Sequence, residues 1–147
     1  MRNILVAVVV MSTLGVSAAG QAPGQAYAGT WTADLRGTTY VRLELEPFDG
    51  TLRGRIALGN LQFDGQGQVA KAEPAPSRLT PLIDVSLRIT GISFSRRDVT
   101  DIDRFEMRLL DDETAELLFI PTDEDRKELA AEGIGVPKPM RLKRIAR

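Results

Sequence analysis

The chain contains neither cysteine nor histidine. Without them a Cys-His pair or a Ser-His-Asp relay cannot be assembled, and the usual nitrogen and sulfur ligands of zinc are missing. The lack of cysteine also excludes disulfides and the thiol that a bacterial lipoprotein anchor needs, so the core alone must support the fold. Charge of one sign is lacking too. Nineteen Lys and Arg stand against 20 Asp and Glu, for a net charge of −1. That balance, with basic and acidic residues interleaved, argues against a nucleic-acid partner, which is bound through clustered Lys and Arg. There is no repeat, no heptad and no phosphate-binding loop; Gly65-Gln66-Gly67-Gln68 lacks the following helix that would aim its amides at a phosphate.

At 147 residues the chain has the length of one domain. Met1-Arg2, the aliphatic run Ile4 to Met11 and the small residues Ser12 to Gly20 have the order of a secretory signal peptide. The run is too short to span a bilayer, which takes about 20 apolar residues. Residues 1–19 are therefore expected to be removed on export, with cleavage after Ala18 or Ala19, although Ala26-Tyr27-Ala28 is a second match to the small-residue rule. Losing residues 1–19 removes only Arg2 among the charged residues and leaves 18 basic and 20 acidic side chains. Residues 20–27, rich in Gly, Pro, Gln and Ala, read as a disordered leader, and 28–147 as a single domain. The expected product is a protein of the periplasm or the medium with no stable membrane anchor.

The best-patterned stretch is Tyr40 to Gly59. Val41, Leu43 and Leu45 alternate with Arg42, Glu44 and Glu46, and beyond Pro47-Phe48-Asp49-Gly50 the alternation resumes as Leu52, Gly54, Ile56 and Leu58 against Arg53 and Arg55. This predicts an antiparallel hairpin with Leu43 opposite Ile56, Glu44 opposite Arg55 and Glu46 opposite Arg53. A first strand begins at Gly29 and ends in a turn at Arg36-Gly37. Leu61, Phe63 and Val69 predict a weak fourth strand broken by glycines. Pro74, Pro76 and Pro81 place a loop over Ala72 to Pro81. Then Ile83, Val85, Leu87 and Ile89 alternate with polar residues, followed by Ile92, Phe94 and Arg96, and by Asp103, Phe105, Met107 and Leu109. Leu117 to Ile120 is apolar on both faces, which calls for cover on its outer side. Thr122 followed by three acids predicts a helix over Asp123 to Glu132, stopped by Gly133, whose apolar side is the candidate cover. A last strand runs from Met140 to Ile145. The expected fold is all-β: an antiparallel up-and-down barrel or curled sandwich of about 8–9 strands, with one short helix before the last.

Arg96 and Asp103 interrupt the apolar face, and pairing Phe94 with Phe105 sets them directly opposite each other. They read either as a wet ion pair at the rim or as a polar anchor for a ligand at the mouth of a cavity. Carboxylate, Tyr40, Lys or Arg chemistry is what remains for an enzyme, yet the acids lie on wet strand faces, in turns or in the first turn of the helix. Asp98, Asp101 and Asp103 lack the spacing of a calcium loop and read as turn formers. No catalytic residue, cofactor or metal is expected.

Gly29-Thr30-Trp31 at the head of the first strand, a penultimate helix and a basic last strand resemble the lipocalin-like (calycin) barrels. That resemblance implies a Trp31 packed beneath a basic side chain from near the C-terminus, with Arg141, Lys143 or Arg144 as candidates. The barrel reading itself leaves an interior that is either filled by side chains or just able to hold one small apolar ligand, with Arg96, Asp103, Trp31 and Tyr40 as candidate ligand-contacting residues. Gly54, Gly65 and Gly67 are the inward positions that would leave room for it. The alternatives are an interaction or inhibitor module of the envelope with a packed core, meeting a protein partner on an outer face, and a carboxylate-based enzyme.

Overall fold

The structure, a computed structural model, describes residues 22–147; the expected signal peptide lies outside the described residues. Ten strands form: β1 (Gly29–Leu35), β2 (Thr38–Phe48), β3 (Thr51–Leu58), β4 (Leu61–Phe63), β5 (Val69–Ala72), β6 (Thr80–Arg88), β7 (Gly91–Arg97), β8 (Ile102–Leu109), β9 (Thr114–Ile120) and β10 (Met140–Ala146). One helix, α1 (Asp123–Ala131), precedes β10. Eight of the strands close into an antiparallel barrel in the order β1-β10-β9-β8-β7-β6-β3-β2, and β4 pairs with β5 in a separate two-stranded sheet. Closure by β1 on β10 decides for the barrel over a sandwich. The expected weak fourth strand is instead the hairpin β4–β5, which leaves the barrel between β3 and β6.

Local chemistry accounts for the tight turns. Arg36 and Gly37 join β1 to β2, and Asp49 and Gly50 join β2 to β3, each pair with both φ angles positive (50° and 81°, 48° and 75°). This is the two-residue turn whose twist matches that of the strands it joins. It holds the second hairpin in the expected register, with Leu43 opposite Ile56, Glu44 opposite Arg55 and Glu46 opposite Arg53.

The antiparallel order defines two ends. At one lie the start of β1, the end of β10 and the turns 49–50, 89–90 and 110–113; at the other lie the turns 36–37 and 98–101, the β4–β5 hairpin and the segment 121–139. The interior between them is filled. Trp31, Val41, Leu43, Ile56, Ile92, Phe94, Phe105, Met107, Leu117 and Leu142 are each at most 2% exposed. Phe94 stacks on Phe105 with centroids 5.6 Å apart, and Phe119 tilts against Phe105 at 5.8 Å. Fully burying a side chain of this kind is worth about 1.5–3 kcal/mol, so this layer dominates stability.

Several expectations change. The leader is not disordered throughout: Gln25–Tyr27 is a 3₁₀ turn held against the barrel end. The glycines leave no room. A Cβ on Gly54 would lie 2.2 Å from the Glu44 carbonyl oxygen, and one on Gly67 would lie 1.8 Å from that of Val136. Gly65 and Gly67 face the segment after α1 rather than the barrel interior, and the Asp64 and Gly67 carbonyls accept from Gly135 N (3.3 Å) and Lys138 N (2.9 Å). Helix α1 has the expected cap, Thr122 Oγ1 accepting from Asp125 N at 3.1 Å while the Asp125 carboxylate accepts from Thr122 N at 2.9 Å. It buries no residue, however, and Leu118 and Ile120 on the outer side of β9 stay half-buried. With five acids and two bases in 123–132 and only Leu129 as a large apolar residue, it has no stripe with which to cover a sheet.

Candidate functional site

Arg96 and Asp103 are cross-strand partners, as the pairing of Phe94 with Phe105 requires. Arg96 Nε donates to Asp103 Oδ2 at 3.0 Å, and the two side chains are 16% and 23% exposed. Asp98 and Asp101 shape the adjoining turn, Asp98 N donating to the Asp101 carbonyl at 2.8 Å and Val99 N to Asp98 Oδ1 at 2.8 Å. Tyr40 is 5% exposed within the core. It lies at the same end of the barrel, but on β2, separated from β7 by β3 and β6.

Trp31 belongs to the opposite end. Its cross-strand partner is Arg144, whose guanidinium carbon lies 4.4 Å from the centre of the indole ring. Arg144 is therefore the basic residue, of the three candidates, that covers the tryptophan. It is 5% exposed and donates through Nη2 to the carbonyl of Ala26, while Trp31 Nε1 donates to the carbonyl of Tyr27 at 2.9 Å. Among the described residues Arg144 Nε has no partner, and burial lowers the pKa of the guanidinium. The four candidate residues thus form no single site: Trp31 closes one end, and Arg96, Asp103 and Tyr40 stand on two walls of the other.

A different constellation lies on the outer wall. The alternation of β6 breaks at Asp84, which takes a left-handed conformation (φ 53°). The ladder to β7 shifts there, from Ile83 opposite Ser95 to Ser86 opposite Ser93. Such a bulge reverses which residues face inward. Leu82, Val85 and Leu87 pack on the core, Ile83 leaves the face expected for it, and Ile89 at the turn is fully exposed. Beside the bulge is a cleft of about 560 Å³ lined by Asp84, Arg88, Ser93, Ser95, Arg104 and Glu106, with Ile120 and Thr122 at its β9 side. Ser95 is only 6% exposed, and Arg88 Nε donates to Ser93 Oγ at 3.3 Å.

The charges of this cleft differ from those of the β2–β3 wall. On the β2–β3 wall Glu44 holds Arg42 (3.3 Å) and Arg55 (2.6 Å), and Glu46 holds Arg53. Arg55 and then Arg42 draw the Glu44 pKa below the ordinary carboxylate range. Arg108 is held by Glu116 at 2.6 Å, and Arg147 by Glu113 at 2.8 Å. Among the described residues Arg88, Arg104, Asp84 and Glu106 enter no ion pair. Two guanidinium and two carboxylate groups thus face one cleft with hydrogen-bonding capacity unspent, and a backbone held in a sparsely populated conformation is a recurrent companion of binding sites. Reading the sequence missed this site; an aspartate inside an otherwise β-favouring run was the available signal.

No helix among the described residues is long and apolar enough to cross a membrane. Comparison with family models, curated proteins and solved structures gives no match to this chain; what the structure shows is a closed eight-stranded antiparallel barrel, consistent in general with a lipocalin-like fold.

Proposed function

We propose that this chain is an exported, non-enzymatic binding protein of the cell envelope that meets a protein partner on its outer wall. The observation that supports this reading most directly is the filled interior. The side chains that would line a ligand cavity are in contact with one another, while the Asp84 to Glu106 cleft opens outward with its charges unpaired. Arg88 and Arg104 offer planar donors for a partner's carboxylates or main-chain carbonyls, and Asp84 and Glu106 accept from its amides or cations. Half-buried Leu118 and Ile120 extend the surface with apolar area. The Trp31–Arg144 pair supports the resemblance to the lipocalin-like barrels, and the packed core points to an outer rather than an interior binding surface.

Photo-crosslinking in the host tests this. A photoreactive side chain placed at Ser93 is expected to give a discrete protein adduct, lost on Arg104→Glu, whereas one at Thr39 on the β2 wall gives none. Failure to crosslink at Ser93, together with a small-molecule adduct retained by the purified protein in native mass spectrometry, would instead favour the interior-ligand reading.

A further inference from the structure

Two places in the sequence satisfy the small-residue rule for removal of a signal peptide, Ala18 or Ala19 and the literal Ala26-Tyr27-Ala28. The second is built into the barrel. The carbonyl of Ala26 accepts from Arg144 Nη2 and that of Tyr27 from Trp31 Nε1. The Tyr27 side chain packs on the core, and its burial raises the pKa of the phenol. Gly24, with φ 81°, lies so close to Leu52 that a Cβ would come within 2.5 Å of its Cγ. A three-residue 3₁₀ turn does not persist in water by its own hydrogen bonds, so these contacts are what hold it.

We propose that maturation cuts upstream of Gly24, at Ala18 or Ala19, and that Ala26-Tyr27-Ala28 is the stopper of the barrel end rather than a processing site. The inference rests on the export reading. Hydrolysis after Ala28 would add water across the Ala28–Gly29 peptide bond, leaving a carboxylate on a departing fragment and an ammonium on Gly29, two residues before Trp31. The fragment would carry away both carbonyl acceptors. Arg144 would lose the acceptor of its Nη2, Trp31 Nε1 would lose its own, and the barrel end that this segment covers would be opened to water.

The full chain is expressed in a bacterial host, and the exported protein is analysed by intact mass and N-terminal sequencing, alongside Ala28→Gln, which removes the small residue a cut at that place needs. A mature chain beginning at Ala19 or Gly20, identical in the variant, is expected. A wild-type chain beginning at Gly29, with the start moved upstream by Ala28→Gln, would overturn the proposal and leave export standing. A chain that keeps Met1 would remove the export reading and the proposal with it. Gly24→Val in the full chain tests the stopper separately. Red-shifted Trp31 emission with increased acrylamide quenching is expected, and unchanged emission would refute the anchoring.

Discussion

Tyr40 and Val41 are neighbours in the chain, yet both face the barrel interior. Ala33 pairs with Val41 and Asp34 with Thr39, so Tyr40 is the unmatched residue of a bulge and turns inward beside Val41. Burial, and then the Asp34 charge, raise the Tyr40 pKa. A phenol with a raised folded pKa keeps its stabilising contribution below its unfolded value of about 10 and loses it as pH rises through the folded value. Tyr40→Phe is therefore expected to flatten the fall in stability above about pH 10, read from urea midpoints between pH 8 and 11. An unchanged alkaline slope would place the phenol in water.

Arg144 is expected to matter beyond its charge. Arg144→Ala removes the cation above Trp31 and the donor to Ala26, at about 2–4 kcal/mol. Arg144→Lys recovers little of this, since an ammonium lacks the planar fork that stacks on the ring and reaches the carbonyl at once. Trp31 is the only tryptophan, so its emission reports the same event that denaturant unfolding measures.

The ion pairs of the β2–β3 wall are expected to contribute little. A double-mutant cycle on Glu44→Gln and Arg55→Gln should give a coupling below about 1 kcal/mol that shrinks with added salt. Because the Glu44 pKa is lowered, that coupling is present above the unfolded carboxylate value of about 4.3 and disappears as pH falls through the folded value. A coupling that survives high salt would mean a pair drier than its 27% exposed glutamate indicates.

Phe105 stands between Phe94 and Phe119. Phe105→Ala is expected to cost about 3–5 kcal/mol, and the cycle with Phe94→Leu to show about 0.5–1.5 kcal/mol of ring-ring coupling. A loss below about 1 kcal/mol would mean that the interior is not close-packed there.

Gly50 and Gly67 provide a matched comparison. Both have positive φ, 75° and 80°, but a Cβ on Gly50 meets nothing within 4 Å, whereas one on Gly67 runs into the Val136 carbonyl. Gly50→Ala should show only the backbone penalty of about 1–2 kcal/mol. Gly67→Ala should exceed it and speed hydrogen exchange at Lys138, whose amide bonds to the Gly67 carbonyl. Equal effects would mean that the β4–β5 hairpin is not latched to the segment after α1.

Where alternation and turn chemistry agree, the residues announce the structure. The β2–β3 register follows from Asp49-Gly50 and the facing charges, and the Arg96–Asp103 contact follows from Phe94 opposite Phe105. Helix α1 follows from Thr122 and its acids. What stays hidden in each case depends on a bulge or on distant backbone. Tyr40 and Ile83 change face because one extra residue shifts the parity of a strand, which a period of two cannot record. Gly67 looks like empty space until Val136, far along the chain, arrives against it. The Asp84 cleft is hidden for the same reason, since its residues converge only once β6, β7 and β8 are side by side.

The ladder between β3 and β6 holds just two residue pairs, Arg55 with Pro81 and Ile56 with Thr80, and it ends at a proline that has no amide to donate. Pairing of Thr30 with Ala146 sets the beginning of β1 beside the end of β10. The molecule is in effect two meanders, β1 to β3 and β6 to β10, joined along one long-range seam and one short one. A circular permutant that links residue 147 to residue 22 through a short flexible bridge and opens the connector between Pro76 and Ser77 would therefore break no strand. It would make the β1–β10 pairing local in sequence and leave the β3–β6 closure as the slow, long-range step of folding.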